Sequence, residues 1–185
     1  MKSVVLAEIS ERELIEGCIA KKRRYQEHLY YRYGTDMYQV ALMYAKNEAD
    51  ASDILQESFI KVFKNIHTFK FQGALGGWIR RTVVFTAINA YKKKQRETQL
   101  VVSMPETEYV DFSVNEIAEG LDPSEIVKLV NQLPKKAQQV LKLYVIEEYK
   151  HQEIADMLGI SVGTSKSQLN RAKKLLQEAV KTLHG

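Results

Sequence analysis

Apolar residues recur along most of the chain at three- and four-residue spacing, the period of helices that each bury one face. From Glu11 to Tyr33 the apolar positions are Leu14, Ile15, Cys18, Ile19, Tyr25 and Leu29, which predicts one helical run ended by Gly34. Thr35 or Asp36 is placed to cap a second helix through Met37, Val40, Ala41, Met43 and Tyr44. Asp50 follows a polar break and is placed to cap a third, Ala51 to Asn65, with Ile54, Leu55, Phe59, Val62, Phe63 and Ile66 on its apolar face. After a loop, His67 to Gly77, Trp78 opens a fourth helix that runs to about Gln95. Its expected inward set is Trp78, Ile79, Thr82, Val83, Phe85 and Ile88, and its outward set is Arg80, Arg81, Thr86, Asn89, Lys92 and Lys93.

Residues 97–120 lose this period, gain acids and Pro105, and read as a linker. Helical signals then return in a group. Asp122 can cap, Pro123 suits the first helical position and Glu125 can return to the cap. Ile126, Leu129, Val130 and Leu133 give that helix its face, and Pro134 stops it and begins the next, with Ala137, Val140, Leu141, Tyr144 and Val145 inward. Gln152 to Leu176 then reads helix, turn, helix: Gly159 supplies a left-handed end and Ser161 an N-cap. Ser165, Leu169, Ala172 and Leu176 form the narrow inner stripe of the last helix. No stretch alternates like a strand for any length. The expected fold is therefore all-α, two small helical domains at 1–96 and 121–185 joined by an acidic flexible linker at 97–120, the second a four-helix helix-turn-helix module.

Charge divides along the same boundaries. The net charge of +4 over 185 residues says little by itself. Residues 1–96 hold 17 Lys and Arg against 10 acids, residues 97–125 hold 8 acids and no base, and residues 126–185 hold 10 bases against 5 acids. Two basic blocks around an acidic one suit nucleic acid as a partner, with the middle kept off it or imitating it. No apolar run approaches the roughly 20 residues of a membrane span and no signal-peptide core stands at the start, so a cytoplasmic protein without membrane insertion is expected. Cys18 is the single cysteine, and the four histidines lack metal-ligand spacing, so neither a disulfide, a metal nor another cofactor is expected.

Three groups of residues carry candidate chemistry. Lys166, Ser167, Asn170, Arg171, Lys173 and Lys174 lie off the inner stripe of the last helix, able to meet phosphates and base edges or simply to form a solvated face. Asp53, Gln56 and Glu57 form a polar side of the third helix, either a solubilising surface or a docking patch. Phe69 and Phe71, in a loop with three glycines before a helix bearing Arg, Lys and amides, suit stacking on single-stranded bases, although aromatics of this kind are more often core.

Quoted together, the motifs resemble one family. The run LPKKAQQVLKLYVIEEYKHQEIADMLGISVGTSKSQLNRAK resembles the minus-thirty-five-binding domain of extracytoplasmic-function (ECF) sigma factors, through EIA, LGIS and S-x-G-T-x-K-S-x-L-x-R-A. The D-x-x-Q-E-x-F pattern from Asp53 to Phe59 and the Trp78-led helix resemble the other domain of that family, and the likeness covers roughly 14–96 and 121–181 in the expected order. The resemblance implies a bacterial transcription initiation factor, not an enzyme, that binds RNA polymerase core through Asp53, Gln56 and Glu57. It implies that Phe69, Phe71, Gln72, Thr86, Asn89 and Lys92 open and hold the minus-ten strand, and that Lys166, Ser167, Asn170, Arg171 and Lys174 read the minus-thirty-five duplex. Its acidic linker would enter polymerase's nucleic-acid channel, and an anti-sigma factor joins the expected partners.

The chain departs from the family pattern at Phe85, where asparagine is common, at Ser165, usually valine, at Gln168, usually arginine, and at Asn170, often histidine. Since Gln and Asn pair with adenine where Arg pairs with guanine, the preferred bases should differ from those of relatives. Two other classes fit less of the chain. A helix-turn-helix regulator that binds duplex DNA as a dimer without joining polymerase leaves the QE patch and aromatic loop unused, and a recombinase needs a catalytic domain, generally with a sheet, which residues 1–96 do not predict.

Overall fold

The computed structural model describes residues 9–97 and 121–184, and every described element is helical. The acidic segment expected as a linker lies, apart from Glu97, outside the described residues. The chain divides into two compact units, Met1–Gln99 and Leu100–Gly185.

The first unit has four helices: α1 (Glu11–Ile19), α2 (Arg23–Tyr44), α3 (Glu48–Asn65) and α4 (Leu75–Glu97), with a 3-10 turn at Ile66–Thr68. Helices α2, α3 and α4 pack against one another and α1 lies on α2 and the 3-10 turn. Leu29, Val40, Ala51, Val62, Leu75, Ile79, Val83 and Ile88 fill the space between them.

Three helix boundaries differ from expectation for identifiable reasons. The predicted run from Glu11 breaks at Ala20–Lys22, where Lys21 takes the left-handed position (φ 55°). Its N–H bonds to Cys18 and that of Lys22 to Gly17, the paired closure normally marked by glycine. The chain then folds Tyr25 back onto α1. A Cβ on Gly17 would stand 2.2 Å from the Tyr25 ring, and the Tyr25 hydroxyl donates to Glu13 at 3.0 Å. Gly34, expected as a helix end, lies buried inside α2 instead. Its neighbour Tyr30 packs edge-on against Phe59 of α3, and this packing outweighs the roughly 1 kcal/mol cost of an interior glycine. The third helix also begins earlier than predicted, because Asn47 rather than Asp50 is its cap, its side chain accepting from the Asp50 N–H at 2.8 Å.

The second unit contains α5 (Pro123–Gln132), α6 (Lys135–Leu141), α7 (His151–Leu158) and α8 (Val162–His184). The predicted capping box is formed: Asp122 accepts from the Ser124 N–H and Glu125 from the Asp122 N–H. Helices α5, α6 and α7 all pack on α8. A single wide π turn, Lys142–Ile146, extends α6. It rotates the face by about one residue, so Leu143 is buried while Tyr144, expected inward, is exposed. Gly159 is left-handed (φ 68°) and Ser161 accepts from the Thr164 N–H at 2.9 Å, both as the turn chemistry predicts. Among the described residues no helix is long and apolar enough to cross a membrane.

Candidate nucleic-acid and protein interfaces

On α3 the burial of Ala51, Ile54, Leu55, Ser58, Phe59 and Val62 turns Asp53, Gln56 and Glu57 to solvent together. Glu57 pairs with Lys61 one turn on, at 2.6 Å, and the same ammonium donates to Thr86 Oγ1 on α4 at 3.3 Å. Between these polar side chains Ile60 is 68% exposed. It was absent from the predicted apolar face, and its signal in the sequence is an isoleucine in register with the patch, at i+3 from Glu57 and i+4 from Gln56. The face thus offers carboxylates and an amide next to an exposed aliphatic side chain, a composition suited to a basic protein surface.

The loop before α4 presents its two aromatics unequally. Phe69 is buried, 5.3 Å from Phe71 and 6.0 Å from Trp78 between ring centroids, so the structure assigns it to the support of the loop, against the expectation of an exposed platform. Phe71 is 45% exposed, with Gln72 exposed beside it. The Arg12 guanidinium of α1 lies 4.7 Å above the Phe71 ring.

Along α4 the predicted register needs correction at two adjacent positions. Thr86, expected outward, is 1% exposed and its hydroxyl is occupied by Lys61. Phe85, expected inward, is 42% exposed. The reason is that α4 packs on both α2 and α3, so its buried arc includes Leu75, Ile79, Val83 and Thr86 as well as Val84, Ala87 and Ile88. Only a narrow stripe remains for solvent. Arg81, Phe85, Asn89 and Lys93 follow one another on it at four-residue steps, with half-buried Lys92 adjoining. Cations, an aromatic and an amide on one outward line match the requirements of a single-strand track, namely stacking surface and phosphate partners.

In the second unit α8 exposes Lys166 and Lys174, half-exposes Ser167, Arg171 and Lys173, and buries Ser165, Leu169, Ala172 and Leu176 as predicted. The Ser167 hydroxyl donates back to the Thr164 carbonyl at 3.0 Å. Asn170 is 6% exposed and Gln168 is also buried, its Oε1 without a partner among the described residues. Neither amide stands at the surface in this structure, which departs from the expectation that both face base edges. Ser165, odd in an apolar stripe, is explained by His151 at the start of α7: Nδ1 and Oγ are 2.9 Å apart, and the imidazole stacks on Tyr144. Burial, with the nearby charges of Lys166 and Lys173, holds the His151 pKa below its usual value.

Comparison with known proteins finds a different sigma-70 region in each unit. The model of sigma-70 region 2 matches residues 29–97 and that of sigma-70 region 4 matches residues 123–176. RNA polymerase sigma factor SigV of Bacillus subtilis is 28% identical over 142 residues, 77% of this chain and 82% of its own. The ECF RNA polymerase sigma factor SigW of the same organism is 27% identical over 161 residues, 82% of this chain and 86% of its own. Among solved structures, sigma factor RpoE bound to the anti-sigma factor NepR from Bartonella quintana is similar in fold, with a TM-score of 0.50 and 18% identity over 84% of this chain and 96% of that one. With region 2 in the first unit and region 4 in the second, in the order of its relatives, the chain belongs to the ECF sigma factors, transcription initiation factors that act with RNA polymerase on promoter DNA.

Proposed function

We propose that the chain joins RNA polymerase core through the α3 face of Asp53, Gln56, Glu57 and Ile60, and that its two units then read the two elements of a promoter. The second unit meets the minus-thirty-five duplex with Lys166, Ser167, Arg171 and Lys174 of α8, and Asn170 and Gln168 contribute only if the helix surroundings open. The first unit holds the separated minus-ten strand on the loop of Phe71 and Gln72 and on the α4 stripe of Arg81, Phe85, Asn89 and Lys92. Phe69 and Thr86 support this surface from beneath. The observation that carries the reading is the outward α4 stripe together with the exposed Phe71, because a duplex-only regulator has no use for them.

The chemistry is that of binding, not of bond making. Separating a base from its stack costs a few kcal/mol, and aromatic contacts worth about 1–3 kcal/mol per base offset it. Polymerase supplies the nucleotidyl transfer, and the protein works in the cytoplasm without a cofactor. An anti-sigma factor is the further partner expected, since the structural neighbour from Bartonella quintana is held by one. Transcription by purified core polymerase from a promoter library randomised at both elements tests the whole reading. Enrichment of two spaced motifs only when the protein is added is expected; comigration failure with core polymerase on gel filtration, together with tight duplex binding alone, would return the duplex-only regulator reading.

A further inference from the structure

Phe71 combines three features that do not occur together by default. Its backbone is left-handed (φ 56°), a conformation that costs a bulky residue about 1–2 kcal/mol. The residue stays 45% exposed although its ring lies against Phe69, which in turn packs on Trp78. Finally, it is touched from another element, by the Arg12 guanidinium, 4.7 Å from the ring centre. Arg12 is itself exposed and makes no ion pair among the described residues, so this contact is the one that defines its place.

We propose that Arg12 is a positioning residue for the minus-ten loop: stacked on Phe71 from α1, it holds that ring outward in its strained conformation, ready for a base. The inference rests on the reading that this loop takes an extruded base. A planar guanidinium suits the task, since it lies flat on an aromatic face and gives up hydration more readily than an ammonium. Anchoring from α1 matters because the two residues that follow Phe71 do not fix it. Gln72 is exposed, and Gly73 (φ 93°) stands in open space. Without the stack the ring regains freedom, and the strand must order it on binding.

The role separates cleanly from direct phosphate contact, which is the ordinary use of an exposed arginine at such a surface. The probe is a fluorescein-labelled single strand of mixed sequence, about twelve nucleotides long, bound to the full chain in complex with core polymerase. Arg12→Ala should weaken binding roughly three- to five-fold, the scale of one exposed cation–π contact, with the salt slope unchanged. Arg12→Lys should recover part of the loss. In a Phe71→Ala background, already weakened by the missing ring, Arg12→Ala should cost nothing more. A loss that persists in that background, with the slope shallower by about 0.7, would mean that Arg12 holds phosphate and would overturn the proposal. If Phe71→Ala weakens binding while Arg12→Ala leaves it unchanged, the loop reading stands and the role of Arg12 falls. If Phe71→Ala has no effect, the loop reading itself fails. Far-UV circular dichroism of each variant checks that the helices are retained.

Discussion

Ser165 is fully buried in a stripe whose other members are Leu169, Ala172 and Leu176, and its hydroxyl lies 2.9 Å from His151 Nδ1. One polar departure in α8 is thus answered by a second residue in α7, so the two helices of the reading motif are joined by a directional bond as well as by packing. His151→Ala removes that bond and the stack on Tyr144, and should destabilise the second unit by about 1–2 kcal/mol. Urea unfolding followed by circular dichroism measures it, while fluorescence of Trp78, the single tryptophan and a residue of the first unit, separates the other transition. The pH dependence has a definite sign. Burial and then the charges of Lys166 and Lys173 lower the His151 pKa, so the folded state binds fewer protons than the unfolded chain, and stability falls as pH drops below about 6.5. Lys142 acts in another window by the same rule. Burial, followed by the charge of Lys135, brings its pKa down from 10.5 to about 8. The unfolded state therefore holds more protons between those values, and the second unit should gain stability as pH rises from 8 towards 10.5. Lys142→Met should flatten that rise relative to the parent, and an identical slope in both proteins would remove Lys142 as its source.

At the scale of elements, legibility followed how many neighbours each helix has. The caps at Asp122 and Ser161 and the turn at Gly159 depend on residues two to four positions away, and each forms as the local pattern predicts. The α1–α2 break was not legible, because its left-handed residue is Lys21 and its cause is the contact of Tyr25 with Gly17, a matter of tertiary fit. Helix α4 was assigned one buried face, but two packed neighbours exchange the roles of Phe85 and Thr86. Helix α3 is the converse case. Its core face agrees with the pattern, so its outer face was legible apart from Ile60, whose apolar character hid its exposure. Replacing Asp53, Gln56 and Glu57 together by alanine should abolish comigration with core polymerase while the helical spectrum stays intact. Ile60→Ala alone should weaken the complex by about 1–2 kcal/mol, the usual cost of truncating a central apolar contact. Undiminished binding in the triple variant would dismiss this face as the docking site.

At the scale of the whole molecule, the proposed function makes the chain a bipartite reader, each basic unit of which should bind weakly alone. Joining two contacts in one chain raises the effective concentration of the second, so weak individual contacts suffice once the first is made. Weak ends also keep the factor from being sequestered on non-specific DNA, which its net charge of +4 would otherwise attract. On this view the exposed lysines of α8 contribute mainly through phosphates, and base discrimination comes from few side chains, since Gln168 and Asn170 are buried. The salt dependence of duplex binding reads that division directly. For B-form DNA the slope of log affinity against log salt changes by about 0.9 for each phosphate contact. Lys166→Ala and Lys174→Ala should each make the slope shallower by about that amount and weaken specific and mixed-sequence duplexes equally. Replacement of a base-reading residue would instead lower affinity for the preferred sequence alone, at constant slope. If Lys166→Ala behaves in the second way, the N-terminal turn of α8 lies deeper in the groove than its exposure suggests, and Lys166 belongs with the residues that specify the promoter.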